Sequence, residues 1–290
     1  MLSIILVASI VVFVSASYAS PQNTTSTDQA RIWHDIDKGL SMATFDLTTT
    51  PRQGTPTKPR SLPSKNPALV AIRIDPNLWQ FSVHCASNNN NKALSIRQWA
   101  EQEDLTVAIN ASMYLPDKLT STGYLRAHEH INNGHIGSKL GAFFVAEPYQ
   151  ENASNPIATL IDKPSQPYES LMQHYSMVVQ NFRLISPDRR ILWDAGGARH
   201  SIAAIGQDAQ GHILFLHSVK PMTPHEFAAV LLAFPLQIRN TMYVEGGPEA
   251  ALLLRSPDTS HVWIGKLRPE LLGSGNSNVP LPNIIGVRRR

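Results

Sequence analysis

Thr241-Met242-Tyr243-Val244-Glu245-Gly246-Gly247-Pro248-Glu249-Ala250-Ala251 runs an apolar strand directly into a carboxylate, a glycine pair and a second carboxylate. A strand that ends in Gly-Gly presents its last side chain at the sheet edge. The glycines there admit backbone angles, and a close approach by a ligand, that a side chain would block. A plain turn is the alternative, since Gly and Pro punctuate many strand ends.

Upstream, Thr223-Pro224-His225-Glu226 combines an N-cap, a Pro at the first helical position and a Glu at the third. Phe227, Val230, Leu231 and Phe234 follow at helical spacing until Pro235. That helix delivers the chain to the strand ending at Glu245. Ser201 to Ile205 and His212 to His217 flank turn-forming residues and read as a hairpin. Downstream, Ala251 to Leu254, His261 to Ile264 and Ile284 to Val287 read as short strands, with a flexible loop over Gly273 to Asn278.

The N-terminal half follows the same pattern. Ala68 to Ile74 and Trp79 to Cys85 read as an antiparallel pair joined by Asp75-Pro76-Asn77. Ser95 and Gln98 stand at capping-box spacing before a short helix that presents Ile96, Trp99 and Ala100. Leu105 to Asn110 is a strand that stops at Asn110-Ala111-Ser112-Met113-Tyr114. A long irregular stretch from Leu115 to Leu140 follows, and such a stretch in a compact domain more often serves function than not. Gly141 to Ala146, Ile157 to Ile161 and Ser176 to Gln180 are further strands. The fold class predicted is α+β: a single domain on a mostly antiparallel, twisted sheet with a few packed helices.

The 290 residues, 42% of them hydrophobic, suffice for a sizeable core. Residues 1–19 read as a signal peptide, an apolar run from Leu2 to Val14 followed by small residues around Tyr18, so the chain is expected to be exported, periplasmic or secreted. Uncleaved, this segment would be its membrane contact. Residues 20–66 read as a low-complexity tether, interrupted by an apolar patch from Ile32 to Phe45 that could add a strand or a turn to the domain at 67–290. The net charge of +3 is small, and its basic clusters at Arg52 to Lys65 and Arg288 to Arg290 lack interleaved aromatics. Nucleic acid is therefore not an expected partner, and Arg288 to Arg290 read as a solvated tail. Cys85 cannot form an intrachain disulfide, and its alternation with Phe81 and Val83 marks a packed thiol.

Several groups compete for the chemistry. His128, Glu129, His130 and His135 lack the spacing of a zinc-protease helix, so no metal is expected. Ser112 and Ser201 lie outside any nucleophile elbow. No phosphate loop or dinucleotide fingerprint occurs, and no cofactor is implied. Glu245 and Glu249, with Arg199 beside Gly196-Gly197 to bind an anion, are the better reading.

The order of Asn110-Ala111-Ser112-Met113-Tyr114, the long loop, Gln180-Asn181-Phe182-Arg183-Leu184-Ile185, Ala203-Ala204-Ile205-Gly206, Glu226-Phe227 and Glu245-Gly246-Gly247 resembles the phosphodiester glycosidase family over roughly residues 67 to 267. The pattern is that of its exported bacterial members. The resemblance implies a carbohydrate or sugar-phosphate substrate. Asn110 matches the family's strand-end Asn, and Glu245 matches the Asp of its Asp-Gly-Gly turn. Glu249-Ala250 replaces a pair that is commonly Ser-Ser, and Ile202 and Ala203 stand where Arg and Thr are usual, with Arg199 three residues too early.

On this resemblance Glu245 is the expected base or nucleophile, Glu249 the acid, Arg199 a phosphate clamp and Asn110 a hydrogen-bonding positioner. Gly246, Gly247, His200, Tyr114 and Gln180 are expected to bind substrate. The function implied is hydrolysis of a sugar 1-phosphodiester or a related envelope glycan. The alternative is a non-catalytic glycan-binding envelope protein on the same fold.

Overall fold

The computed structural model describes residues 32–46, 67–152, 155–256, 260–266 and 278–290. The expected signal peptide, most of the tether and all but the last residue of the 273–278 loop lie outside the described residues. Strands dominate the rest. In chain order they are β1 (His34–Asp37), β2 (Leu40–Phe45), β3 (Leu69–Ile74), β4 (Trp79–Cys85), β5 (Val107–Asn110), β6 (Leu125–Ala127), β7 (His130–Asn133) and β8 (Ala142–Pro148). Then come β9 (Ala158–Asp162), β10 (Tyr175–Ile185), β11 (His200–Asp208), β12 (Ile213–Met222), β13 (Ile238–Gly246), β14 (Ala251–Arg255), β15 (Ser260–Ile264) and β16 (Asn283–Arg289).

Every pairing among the described strands is antiparallel, and the strands form two sheets. The larger has 11 strands in the order β1-β2-β3-β12-β11-β13-β10-β6-β7, with β8 pairing β10 and β9 beyond it. The smaller has 5, in the order β15-β14-β5-β16-β4. The predicted α+β class on mostly antiparallel sheet is what the chain adopts.

Alternation places the layers. Ile72, Phe215, Ile205, Met242 and Val179 of the larger sheet face Phe81, Ile109, Leu252 and Ile285 of the smaller one across a single apolar core. Phe81 meets Phe144 and Phe215 edge-on, with ring centroids 5.4 and 6.3 Å apart, and so ties the sheets together. The helix Pro224–Ala233 covers the outer face of the larger sheet with Phe227, Ala228 and Leu231. The helix Ile96–Gln102 covers the smaller sheet with Ile96, Trp99 and Ala100. Both helices start with the capping box read from the sequence, Thr223 with Glu226 and Ser95 with Gln98.

Three expectations change. Asp75-Pro76-Asn77 does not close a hairpin: Asp75 Oδ1 accepts from Asn77 N at 2.9 Å, and the turn carries the chain from β3 in the larger sheet to β4 in the smaller. β3 is buried at five of six positions and needs partners on both edges, which β2 and β12 supply. The stretch from Leu115 to Leu140 is not wholly irregular, because β6 and β7 form a short hairpin within it. The terminal arginines are not a solvated tail. Arg288 and Arg289 belong to β16, Arg289 pairs with Asp37 at 2.6 Å, and Arg290 bonds both Glu147 oxygens at 2.8 and 3.0 Å. The apolar patch at Ile32 to Phe45 supplies β1 and β2, with β2 paired to β3.

Candidate active site

Glu245-Gly246-Gly247-Pro248-Glu249 is the crossover from one sheet to the other, leaving β13 and entering β14. β13 lies between β11 and β10 near the middle of the larger sheet and is buried except at Arg239 and Gly246. Against β11 its register skips: Ala204 faces Tyr243, and Ala203 faces Glu245, so Val244 is an extra residue. Such a bulge re-aims the side chains beyond it. Paired residues share a sheet face, and Ala203 belongs to the core between the sheets, so the bulge turns Glu245 inward to the mouth of the sandwich.

The glycines are required by contact and by conformation. A Cβ on Gly246 would sit 2.1 Å from Tyr243 Oη and 2.7 Å from His200 Cε1. Gly247 has a φ of +75°, and it opens the 3-10 turn Gly247–Glu249. Both sheets grip that turn. From the end of β5, Asn110 Nδ2 donates to Glu249 O at 2.8 Å while Asn110 Oδ1 accepts from Ala251 N at 2.7 Å. From β12, His217 Nε2 donates to Ala250 O at 3.2 Å. His217 is fully buried, burial depresses its pKa to about 4, and its Nδ1 has no partner among the described residues.

Glu245 is 8% exposed, and its Oε1 accepts one hydrogen bond, from Gly246 N at 2.9 Å. Burial lifts its pKa to about 8. The Gly246 bond opposes the shift, and the nearby Glu249 charge adds to it. Tyr114 is also raised, by burial and then by the charges of Glu249 and Glu245. Tyr243 is raised by burial and by Glu245. Its ring lies 6.4 Å from His200 edge-on and 5.2 Å from Trp193, and Trp193 in turn stands 5.8 Å from Phe182.

The fold therefore brings together Glu245, Glu249, Gly246, Gly247, Tyr114, Asn110 and His200. It does not bring Arg199 or Gln180 to the carboxylates in free form. Arg199 Nη1 bonds Glu226 Oε1 at 2.5 Å, and both side chains are roughly half exposed. Gln180 is wholly buried: its Oε1 accepts from Tyr124 N and Gly137 N, and its Nε2 donates to Gly137 O and Leu140 O. It holds the long loop in place. Ser201 is buried under Val219 O and Lys266 N, and His130 Nε2 lies 2.8 Å from Ser87 Oγ. Among the described residues no three His, Cys, Asp or Glu side chains gather to hold a metal ion.

A model of the phosphodiester glycosidase family matches residues 103–288, which contain the whole crossover. The chain belongs to that family. Solved structures resemble its fold at low sequence identity. A hypothetical protein from Synechocystis shares 15% identity at a TM-score of 0.56, with 89% of this chain and 63% of that one covered, so the chain spans less than two thirds of that protein's length. The catalytic domain of zebrafish N-acetylglucosamine-1-phosphodiester alpha-N-acetylglucosaminidase, auto-inhibited by its pro-peptide, shares 11% identity at a TM-score of 0.55, covering 87% of this chain and 89% of that one. A protein from Burkholderia pseudomallei described as exported shares 10% identity at a TM-score of 0.50, covering 76% and 73%. Comparison with curated proteins finds no match.

Sequence reasoning missed Tyr243, His217, Trp193 and Asn181 around the phosphodiester glycosidase crossover. Asn181 Nδ2 reaches from β10 to Ala111 O at 2.8 Å, and its Oδ1 has no partner among the described residues. Only Asn181 carried a signal, as part of the polar Gln180-Asn181 pair that follows the apolar Met177-Val178-Val179. Tyr243 and His217 look like ordinary strand residues until the bulge and the crossover are known.

Proposed function

We propose that this phosphodiester glycosidase family member is an exported hydrolase that cleaves the glycosidic C–O bond of a sugar 1-phosphodiester or a related envelope glycan. The observation that carries the reading is the pair of carboxylates in unequal environments on one crossover. Glu245 is buried with a pKa near 8, while Glu249 is half-buried on the turn beside it. Carboxyls whose environments separate them in this way divide acid and base roles between them.

Their burial exchanges the roles that the family resemblance suggested. At pH 7 a carboxyl with a pKa of about 8 is about nine-tenths protonated, which suits Glu245 to act as the acid. In this reading the Glu245 proton passes to the glycosidic oxygen as the C1–O bond breaks and the phosphomonoester leaves. Glu249 stabilises the cationic C1 centre and takes the proton of the incoming water, whose hydroxyl completes the free sugar. Tyr114, whose phenol pKa is raised by burial and by the nearby Glu249 and Glu245 charges, borders the carboxylate pair, and Tyr243 with His200 walls the sugar site. Asn110 and His217 act by holding the turn and touch no reacting atom.

A glycan-binding protein without turnover would gain nothing from holding a carboxyl protonated at neutral pH beside a second carboxylate. Export rests on the apolar N-terminal run. Among the described residues no helix is long and apolar enough to cross a membrane. The test is release of N-acetylglucosamine from an N-acetylglucosamine 1-phosphodiester by the purified chain, with Glu245→Gln and Glu249→Gln as controls. Full turnover by both variants would remove the assignment.

A further inference from the structure

A groove of about 360 Å³ opens on the β10 side of β13. Its inner surface is apolar, from Met113, Leu140 and Phe182, and exposed His135, Ser138 and Lys139 lie along its edge. It adjoins the site through two links: Met113 precedes Tyr114 in the chain, and Phe182 stands in register with Tyr243.

The charges around the groove are unequal. Lys139 and His135 have no ion-pair partner among the described residues. Lys163 adds a cation behind the groove, its Nζ donating to Gly137 O at 3.3 Å. The neighbouring acid, Asp162, is taken up by Arg183 at 2.5 and 3.2 Å. On the opposite flank of β13 the cation Arg199 is already matched by Glu226. An anion approaching the turn meets no free cation on the Arg199 side and is attracted to the Lys139 side, where no acid among the described residues pairs with the cation.

We infer that this groove is the leaving-group subsite, binding the phosphate on Lys139 and Ser138 with the alcohol it esterifies laid on Met113, Leu140 and Phe182. The inference rests on the hydrolase reading for its substrate and transfers the phosphate-holding role from Arg199 to Lys139. It predicts preference for a phosphate ester of a compact polyol with one apolar face, since the groove offers one cationic edge and one apolar floor.

Calorimetric titration of the full chain with glycerol phosphate, at low salt, tests it without turnover. Wild type and Arg199→Ala bind alike, Lys139→Ala binds about tenfold more weakly, equivalent to about 1.4 kcal/mol, and Lys139→Glu shows no binding. Lys139 is exposed, so these variants keep the fold. In turnover, Lys139→Ala raises KM for an N-acetylglucosamine 1-phosphodiester with kcat nearly unchanged, and leaves a p-nitrophenyl N-acetylglucosaminide, which has no phosphate, unaffected. Glycerol phosphate binding that is absent in the wild type, unchanged in Lys139→Glu, or lost in Arg199→Ala overturns the inference. Lys139-dependent binding without hydrolysis of either substrate upholds the groove and removes the hydrolase reading.

Discussion

Replacing Glu245 by Gln removes a titrating group while keeping its shape, and the structure fixes the sign of the consequence. The unfolded carboxyl titrates near 4.5 and the folded one near 8. Below 4.5 both states hold the proton and Glu245 costs nothing. Between 4.5 and 8 only the folded state holds it, so stability falls as pH rises, by about 1.4 kcal/mol per pH unit, until the folded group also ionises. The accumulated cost is about 3 kcal/mol at pH 7 and about 5 kcal/mol at pH 9. The amide of the Glu245→Gln variant cannot ionise and escapes it. Urea unfolding of both proteins at pH 5, 7 and 9 therefore gives a stability difference that moves by about 4 kcal/mol in favour of Glu245→Gln across the range. Hydrolysis by the wild type should decline above pH 8 in parallel, as the acid is lost. A stability difference that stays flat from pH 5 to 9 would refute the buried, protonated carboxyl and the acid role built on it.

Other substitutions probe the frame around that carboxyl. Asn110→Ala removes both bonds to the turn and is expected to cost about 2 to 3 kcal/mol in urea unfolding, with kcat falling more than KM rises. Gly246→Ala places a methyl against Tyr243 Oη and is expected to cost about 1 to 3 kcal/mol, part of which Tyr243→Phe restores, as a double-mutant cycle would measure. His217 has the opposite linkage to Glu245: its folded pKa of about 4 lies below the ordinary value of 6.5, so its neutral form loses stability as pH falls through that window, by about 3 kcal/mol in all. His217→Gln should flatten that acid limb in thermal or urea unfolding. Cys85 is buried with its thiol pushed up to about 12, so alkylation in the native state at pH 8 should be far slower than in urea.

Local signals in the sequence were sufficient for the capped helices and for most strands, missed the β6–β7 hairpin, and were insufficient for the assembly. The helices at Ile96 and Pro224 carry capping boxes and apolar faces that act within one turn, and the Ser201 to His217 hairpin carries its own turn residues, so each was legible. The turn at Asp75-Pro76-Asn77 has hairpin chemistry whether β4 folds back on β3 or passes to the second sheet. That choice depends on β2, β12 and β16, which are distant in sequence. The Glu-Gly-Gly-Pro-Glu stretch stood out as a candidate site by composition and by its company in the chain. Its role as the crossover between sheets was not, because Asn110 and His217 reach it across 139 and 33 residues. The same holds for Arg199 and Lys139. Sequence showed an arginine beside a glycine pair, but only the fold shows that Glu226 occupies it and that Lys139, unpaired among the described residues, lies on the other flank of β13.

Incubating the purified chain with an N-acetylglucosamine 1-phosphodiester and following both products bears most directly on the central claim. The two-carboxylate site predicts equal amounts of free N-acetylglucosamine and phosphomonoester, with turnover lowered by about a hundredfold or more in Glu245→Gln and in Glu249→Gln. No release by the wild type, or release undiminished in both variants, would contradict it.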